Sequence, residues 1–166
     1  MSVSQNTMFA FLSIGLISGL GCSSELPPPE NMPELHPVTL TIVQEGTPLE
    51  LASIRLIPDA APSPWYSGGS TNASGVSKIR THGKFNGVPA GTYRVTVTKI
   101  EMPQAGSGSL AEMNQTSAQD ATYDLVDPQY SNPAKTPLRL EVVAGSNTKE
   151  FDLGVPVRVK RKGPPR

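Results

Sequence analysis

A chain of 166 residues has room for one domain, and with 17 Pro, 15 Gly and 37% hydrophobic residues it suits many short strands better than long helices. A formal net charge of zero removes the electrostatic argument for general nucleic-acid binding. The single Cys excludes a disulfide framework within the monomer, and two His in the whole chain are too few for a zinc site to be expected.

Residues 8–21, MFAFLSIGLISGLG, form an uncharged apolar run, shorter than the roughly twenty residues a spanning helix needs, and read as the hydrophobic region of a signal peptide. The run ends in Gly19-Leu20-Gly21-Cys22-Ser23, which resembles the lipobox of bacterial lipoproteins; Gly19 stands where that motif prefers Leu, and residues 1–7 carry no Lys or Arg. The resemblance implies a signal peptide over 1–21 and a diacylated Cys22 as the lipid attachment site. Residues 22–37 then read as a Pro-rich linker, extended by its prolines and solvated by Glu25, Glu30 and Glu34, with His36 exposed in it.

Period-2 alternation begins at Val38. Val38, Leu40 and Ile42 alternate with Thr39 and Thr41 in a half-buried strand that ends at the turn-like Glu45-Gly46-Thr47-Pro48. In a second strand Ala52, Ile54 and Leu56 share one face and Ser53 and Arg55 the other, until Pro58 closes it. Residues 59–86 are weaker: Ser, Gly and Asn dominate 67–75, and only 76–81 has strand character. The clearest strand is 92–99, where Tyr93, Val95 and Val97 are expected inward and Arg94, Thr96 and Thr98 outward. Near the C-terminus, Leu138, Leu140 and Val142 line one side of a strand, 144–147 turns, and Phe151 and Leu153 point back inward, the pair reading as a hairpin.

Between these strands, 102–133 reads as a long irregular insertion with one short helix around 110–115. Its acidic side has no local cation, since Glu101, Glu112, Asp120, Asp124 and Asp127 fall between Lys99 and Lys135. Only Tyr123, Leu125, Val126 and Tyr130 are expected to dock on the sandwich. The last residues reverse the sign through Arg158, Lys160, Arg161, Lys162 and Arg166, a basic tail over 155–166 that either solubilises the chain or meets acidic glycans, anionic lipids or a protein.

Six or seven short strands with no strand-helix-strand rhythm argue an all-β sandwich. The order Gly46-Thr47-Pro48-Leu49, Ala52-Ser53-Ile54-Arg55-Leu56-Ile57-Pro58, Thr71-Asn72-Ala73-Ser74-Gly75 and Gly87-Val88-Pro89-Ala90-Gly91-Thr92-Tyr93-Arg94-Val95 resembles the carboxypeptidase regulatory-like, or transthyretin-like, lipoproteins of planctomycete type. Val126-Asp127-Pro128-Gln129-Tyr130-Ser131-Asn132-Pro133 ahead of Leu138-Arg139-Leu140-Glu141-Val142 continues the match, and Ser77 departs from it where relatives carry an aromatic. The resemblance implies a seven-stranded prealbumin-like (Ig-like) sandwich over 38–154 and an accessory or structural role without catalysis.

Gly106-Ser107-Gly108-Ser109-Leu110-Ala111 fits a dinucleotide fingerprint in letters only, because Asn114-Gln115-Thr116-Ser117 cuts its helix short and no second parallel strand follows. No Gly-x-Ser-x-Gly turn accompanies His36 or His82, and His82, beside Gly83, reads as a surface turn residue. Asp120, Asp124 and Asp127 lack the spacing of an EF-hand and read as a solvated loop. The Tyr-Arg-Gly-Ser terminus of the related 5-hydroxyisourate hydrolases is replaced by Lys162-Gly163-Pro164-Pro165-Arg166. Trp65 and Tyr66 are the only adjacent aromatics: they cap one end of the sandwich or, as a ligand site, stack on a sugar or fill a partner's pocket. The expectation is a non-enzymatic envelope lipoprotein with no cofactor and no metal. It is tethered to a membrane through its N-terminal lipid, with Ser23 after the cysteine pointing to the outer membrane facing the periplasm. Its partner is an envelope protein or a glycan rather than nucleic acid, and carbohydrate or small-ligand binding is the alternative to a structural role.

Overall fold

The computed structural model describes residues 28–60, 63–102 and 122–161. Residues 1–27 with Cys22, the fingerprint-like 106–111, the helix expected at 110–115, Asp120 and the tail residues 162–166 lie outside the described residues. Among those described, no helix is long and apolar enough to cross a membrane.

The first strand starts inside the stretch expected to be linker. β1 (Leu35–His36) pairs with β9 (Val88–Pro89), and His36, expected in solvent, is 7% exposed. β2 (Val38–Gln44) buries Val38, Leu40 and Ile42 and leaves Thr39 and Thr41 half-buried, as alternation requires. Glu45 and Gly46 turn the chain into β3 (Thr47–Pro48), and β4 (Ser53–Pro58) buries Ile54 and Leu56 while Ser53 and Arg55 face out.

The Ser/Gly stretch after it is a strand, contrary to expectation. β5 (Ser67–Ser70) lies between β4 and β7 (Arg80–Thr81), and its two glycines sit at close approaches to neighbouring atoms. A Cβ on Gly68 would sit 2.5 Å from the Ile54 carbonyl oxygen, and one on Gly69 would sit 2.5 Å from Ser77 Oγ. These glycines serve close approach, so low strand propensity misreads them. β6 (Val76–Lys78) pairs with β2, whereas β7 pairs with β5, so the chain changes sheets at the buried Ile79. Ser77, in the place of the expected aromatic, is fully buried, and its hydroxyl has no hydrogen-bond partner among the described residues.

A turn leads to β8 (Phe85–Asn86), and after β9 the long β10 (Gly91–Thr98) buries Tyr93, Val95 and Val97. The Tyr93 hydroxyl donates to the Pro89 carbonyl 2.8 Å away, a tyrosine corner at the entry to the strand. β11 (Ile100–Glu101) and β12 (Tyr123–Asp124) bracket the described ends of the insertion, whose return is ordered. Val126 is buried, Asp127 Oδ1 caps the single-turn α1 (Pro128–Ser131) by accepting from Gln129 N at 2.9 Å, and Tyr130 packs on the core.

β13 (Arg139–Val142) and β14 (Asn147–Asp152) are not the hairpin that the sequence suggested. β13 pairs with β10, while β14 runs parallel to β2 in the other sheet. Asn147 makes the crossing: its side chain accepts from Val143 N and donates to the Val143 and Gly145 carbonyls, and its backbone N–H donates to the Pro37 carbonyl. Pairing as a hairpin would put Leu140, Val142 and Phe151 in one sheet; split between two, they meet in one core. The basic tail likewise contributes β15 (Val159–Lys160), paired with β12.

The result is an all-β sandwich. A six-stranded antiparallel sheet, β13-β10-β4-β5-β7-β8, faces a four-stranded sheet made of β14-β2-β3 with β6 on β2, across a single apolar core. Two small ribbons, β1-β9 and β11-β12-β15, complete it.

Candidate binding site

Trp65 and Tyr66 precede β5, and His82 follows β7, so the pairing of these two strands brings all three to one place. The His82 backbone N–H donates to the Tyr66 carbonyl at 2.7 Å, which extends the ladder past the strand ends. Ring centroids of Trp65 and His82 are 5.4 Å apart and those of Tyr66 and His82 5.7 Å, both edge to face at 77° and 85°. Tyr66 is 71% exposed, Trp65 half-buried and His82 exposed, so the imidazole serves as a spacer that holds two aromatic rings at the surface.

The frame beneath is buried and hydrogen-bonded. Thr81 Oγ1 donates to the Gly87 carbonyl at 2.8 Å, which leaves it to accept from Ser67 Oγ at 3.0 Å, both hydroxyls being buried. His82 and Gly83 sit at the centre of the β7–β8 turn with φ of 52° and 69°, closed by Lys84 N donating to the Thr81 carbonyl at 3.2 Å. Such a turn favours Asn or Gly at the first position, so a His there accepts about 1 kcal/mol of backbone strain in exchange for its ring. The sequence pointed to Trp65 and Tyr66 as a pair and to His82 as a lone surface residue; the structure brings the three together. Nothing in the spacing of residues 65, 66 and 82 could have shown this, because it depends on the register of β5 with β7.

A second cluster lies on the β11-β12-β15 ribbon. The Arg158 guanidinium lies 3.5 Å from the centroid of the Tyr123 ring and pairs with both carboxylate oxygens of Glu101, at 2.9 and 3.2 Å. Arg158 holds the Glu101 carboxyl below its ordinary range, and Glu101 raises Arg158 in turn. Arg161 Nε lies 3.1 Å from Asp124. Glu101 and Asp124, with no cation nearby in sequence, therefore have cations supplied from the far end of the chain.

Of the three aspartates weighed as a cation site, Asp124 is taken by Arg161 and Asp127 by the α1 cap. Among the described residues no three His, Cys, Asp or Glu side chains gather as a metal site. Comparison of the chain with protein-family models, with curated proteins and with solved structures returned no match.

Proposed function

We propose that this chain is a non-catalytic interaction module of the cell envelope, tethered to a membrane through lipid on Cys22 and built as a seven-stranded prealbumin-like domain of carboxypeptidase regulatory-like type. The observation that carries the interaction role is the trio of exposed Tyr66 and His82 with half-buried Trp65 on a hydrogen-bonded frame. Large aromatic rings held at a surface lose little entropy on binding and act as anchors for a partner. The lipobox-like end of the apolar run supports the tether, and Ser23 supports the outer membrane facing the periplasm as its location.

Photocrosslinking in the native envelope tests the module. A p-benzoylphenylalanine at position 66 is expected to give one reproducible adduct, lost with His82→Asn, which keeps the turn and removes the ring. The same probe at position 149 gives none. Diffuse adducts of equal yield at both positions would sink the reading. Metabolic palmitate labelling of the wild type but not of Cys22→Ser is expected for the tether.

A carbohydrate-binding reading is favoured by one feature: Tyr66 is 71% exposed, which leaves its ring open for stacking on a sugar.

A further inference from the structure

The outward face of the six-stranded sheet carries a concentration of positive charge that the neutral chain conceals. Directly paired residues of antiparallel strands share a face. One row across the sheet is therefore Thr96, Arg55, Gly68, Arg80 and Asn86. The neighbouring row is Arg139, Arg94 and Ile57, continued by Tyr66 and His82 through their backbone hydrogen bond and ring contact. Neither row contains a carboxylate, and the next outward row, beyond Arg94 and Arg139, holds Glu141 opposite Thr92. Arg94 is held by Asp59 at 2.8 Å, and Arg139 donates to the Thr136 and Leu138 carbonyls. Arg55 and Arg80 are exposed, and among the described residues neither enters an ion pair. They stand on strands two apart, about 9 to 10 Å by sheet spacing, with side-chain-free Gly68 between them and the aromatic trio alongside.

We infer that this face binds an acidic polysaccharide, with Arg55 and Arg80 holding successive carboxylate or sulfate groups and Tyr66 and Trp65 stacking on the sugar rings. The inference rests on the interaction-module reading, which sets the aromatic trio as the contact surface. The arginine fork matches a carboxylate or sulfate in two hydrogen bonds, and a pyranose offers an apolar C–H face to an aromatic ring. Two free arginines are few for the alternatives, since an anionic membrane is met by clusters of about four to eight Lys or Arg. Tight DNA binding commonly uses roughly six to ten phosphate contacts.

Affinity electrophoresis of the full chain in detergent tests this, with polygalacturonate and dextran sulfate as probes and neutral dextran as control. At least one polyanion is expected to retard the chain, with retardation falling as salt rises, and neutral dextran is not. The double variant Arg55→Gln/Arg80→Gln is expected to weaken retardation at least about tenfold, the scale of one charged hydrogen bond, with an unchanged thermal midpoint. Lys149→Gln, on the other sheet, leaves it unchanged. No retardation by either polyanion, or tighter binding to a single-stranded oligonucleotide or to phosphatidylglycerol vesicles, would overturn the inference. So would retardation lost in Trp65→Ala but kept in the arginine double variant, a result under which the module reading stands and the arginine face falls.

Discussion

The two large sheets obey the same alternation on their inner sides and present different surfaces on their outer ones. On the four-stranded sheet the outward rows are Thr148, Thr39 and Lys78, then Glu150, Thr41 and Val76, with the charged edge strand β14 guarding one side. On the six-stranded sheet the outward rows carry Arg55, Arg80, Arg94 and Arg139, with Glu141 on the same face and Asp59 paired to Arg94. Part of that face is covered as well, because α1 packs against β10, Arg94 donates to the Pro133 carbonyl, and Thr96 is only 7% exposed. An outward position in a strand is thus not the same as a solvated one. What lies over a sheet is decided by segments remote in sequence.

The largest test of the inner side is Val95→Asp, which is expected to abolish cooperative unfolding in a denaturant titration. Val95 is fully buried, and an unpaired carboxylate there costs several kcal/mol against a domain stability of about 5 to 15. Outer positions then separate the two sheets. Thr96→Asp on β10 is expected to cost about 3 kcal/mol because its site is buried. Thr39→Asp, half-buried on β2 and opposite Lys78, should cost under about 1 kcal/mol. Equal costs would mean that nothing covers the six-stranded face.

Where the two sheets are joined, Gly69→Ala is expected to cost about 2 kcal/mol through its collision with the Ser77 hydroxyl. Ser77→Ala alone should gain about 1 kcal/mol by removing a buried, unpartnered hydroxyl, and in the double variant most of the Gly69→Ala cost should vanish. Gly68→Ala meets the Ile54 backbone carbonyl and is expected to have no such rescue. Thermal melts of the four proteins check this cycle.

Smaller again is Tyr93→Phe, expected to lose about 1 kcal/mol at neutral pH with the hydrogen bond to Pro89. Burial raises the Tyr93 phenol above its ordinary 10.0, so the folded state favours the neutral form. Its contribution is full below the unfolded pKa and is lost as pH rises through the folded one. The gap between wild type and Tyr93→Phe should accordingly narrow above about pH 10, which urea titrations at pH 8 and pH 11 would register. The smallest effect is local: in Arg158→Gln the Glu101 carboxyl should titrate closer to its ordinary 4.5, followed by NMR, with little change in stability because both side chains are exposed.

Much of the sandwich was legible along the chain. The inward sets Val38, Leu40 and Ile42, Ile54 and Leu56, and Tyr93, Val95 and Val97 are all buried, because a period of two is a local property of a strand. Asp127-Pro128 also carries a helix-start signal within an otherwise loop-like stretch. Ser67–Ser70 was misread because propensity values glycine for its flexibility, whereas here the sheet needs its lack of a Cβ. The proline-rich neighbours of His36 point to solvent, yet it is strand-paired with Val88 across the ribbon.

The sequence by itself determined the all-β class, the inner faces of the main strands and the two aromatics at residues 65 and 66, since each is written in neighbouring residues. Only the tertiary structure decided which strands pair. That choice parted β14 from β13, brought Arg158 and Arg161 to Glu101 and Asp124, set His82 against Trp65 and Tyr66, and lined up Arg55 with Arg80. The physical reason is that register between distant strands is fixed by burying all the apolar faces in one core at once, a condition no single stretch of chain contains.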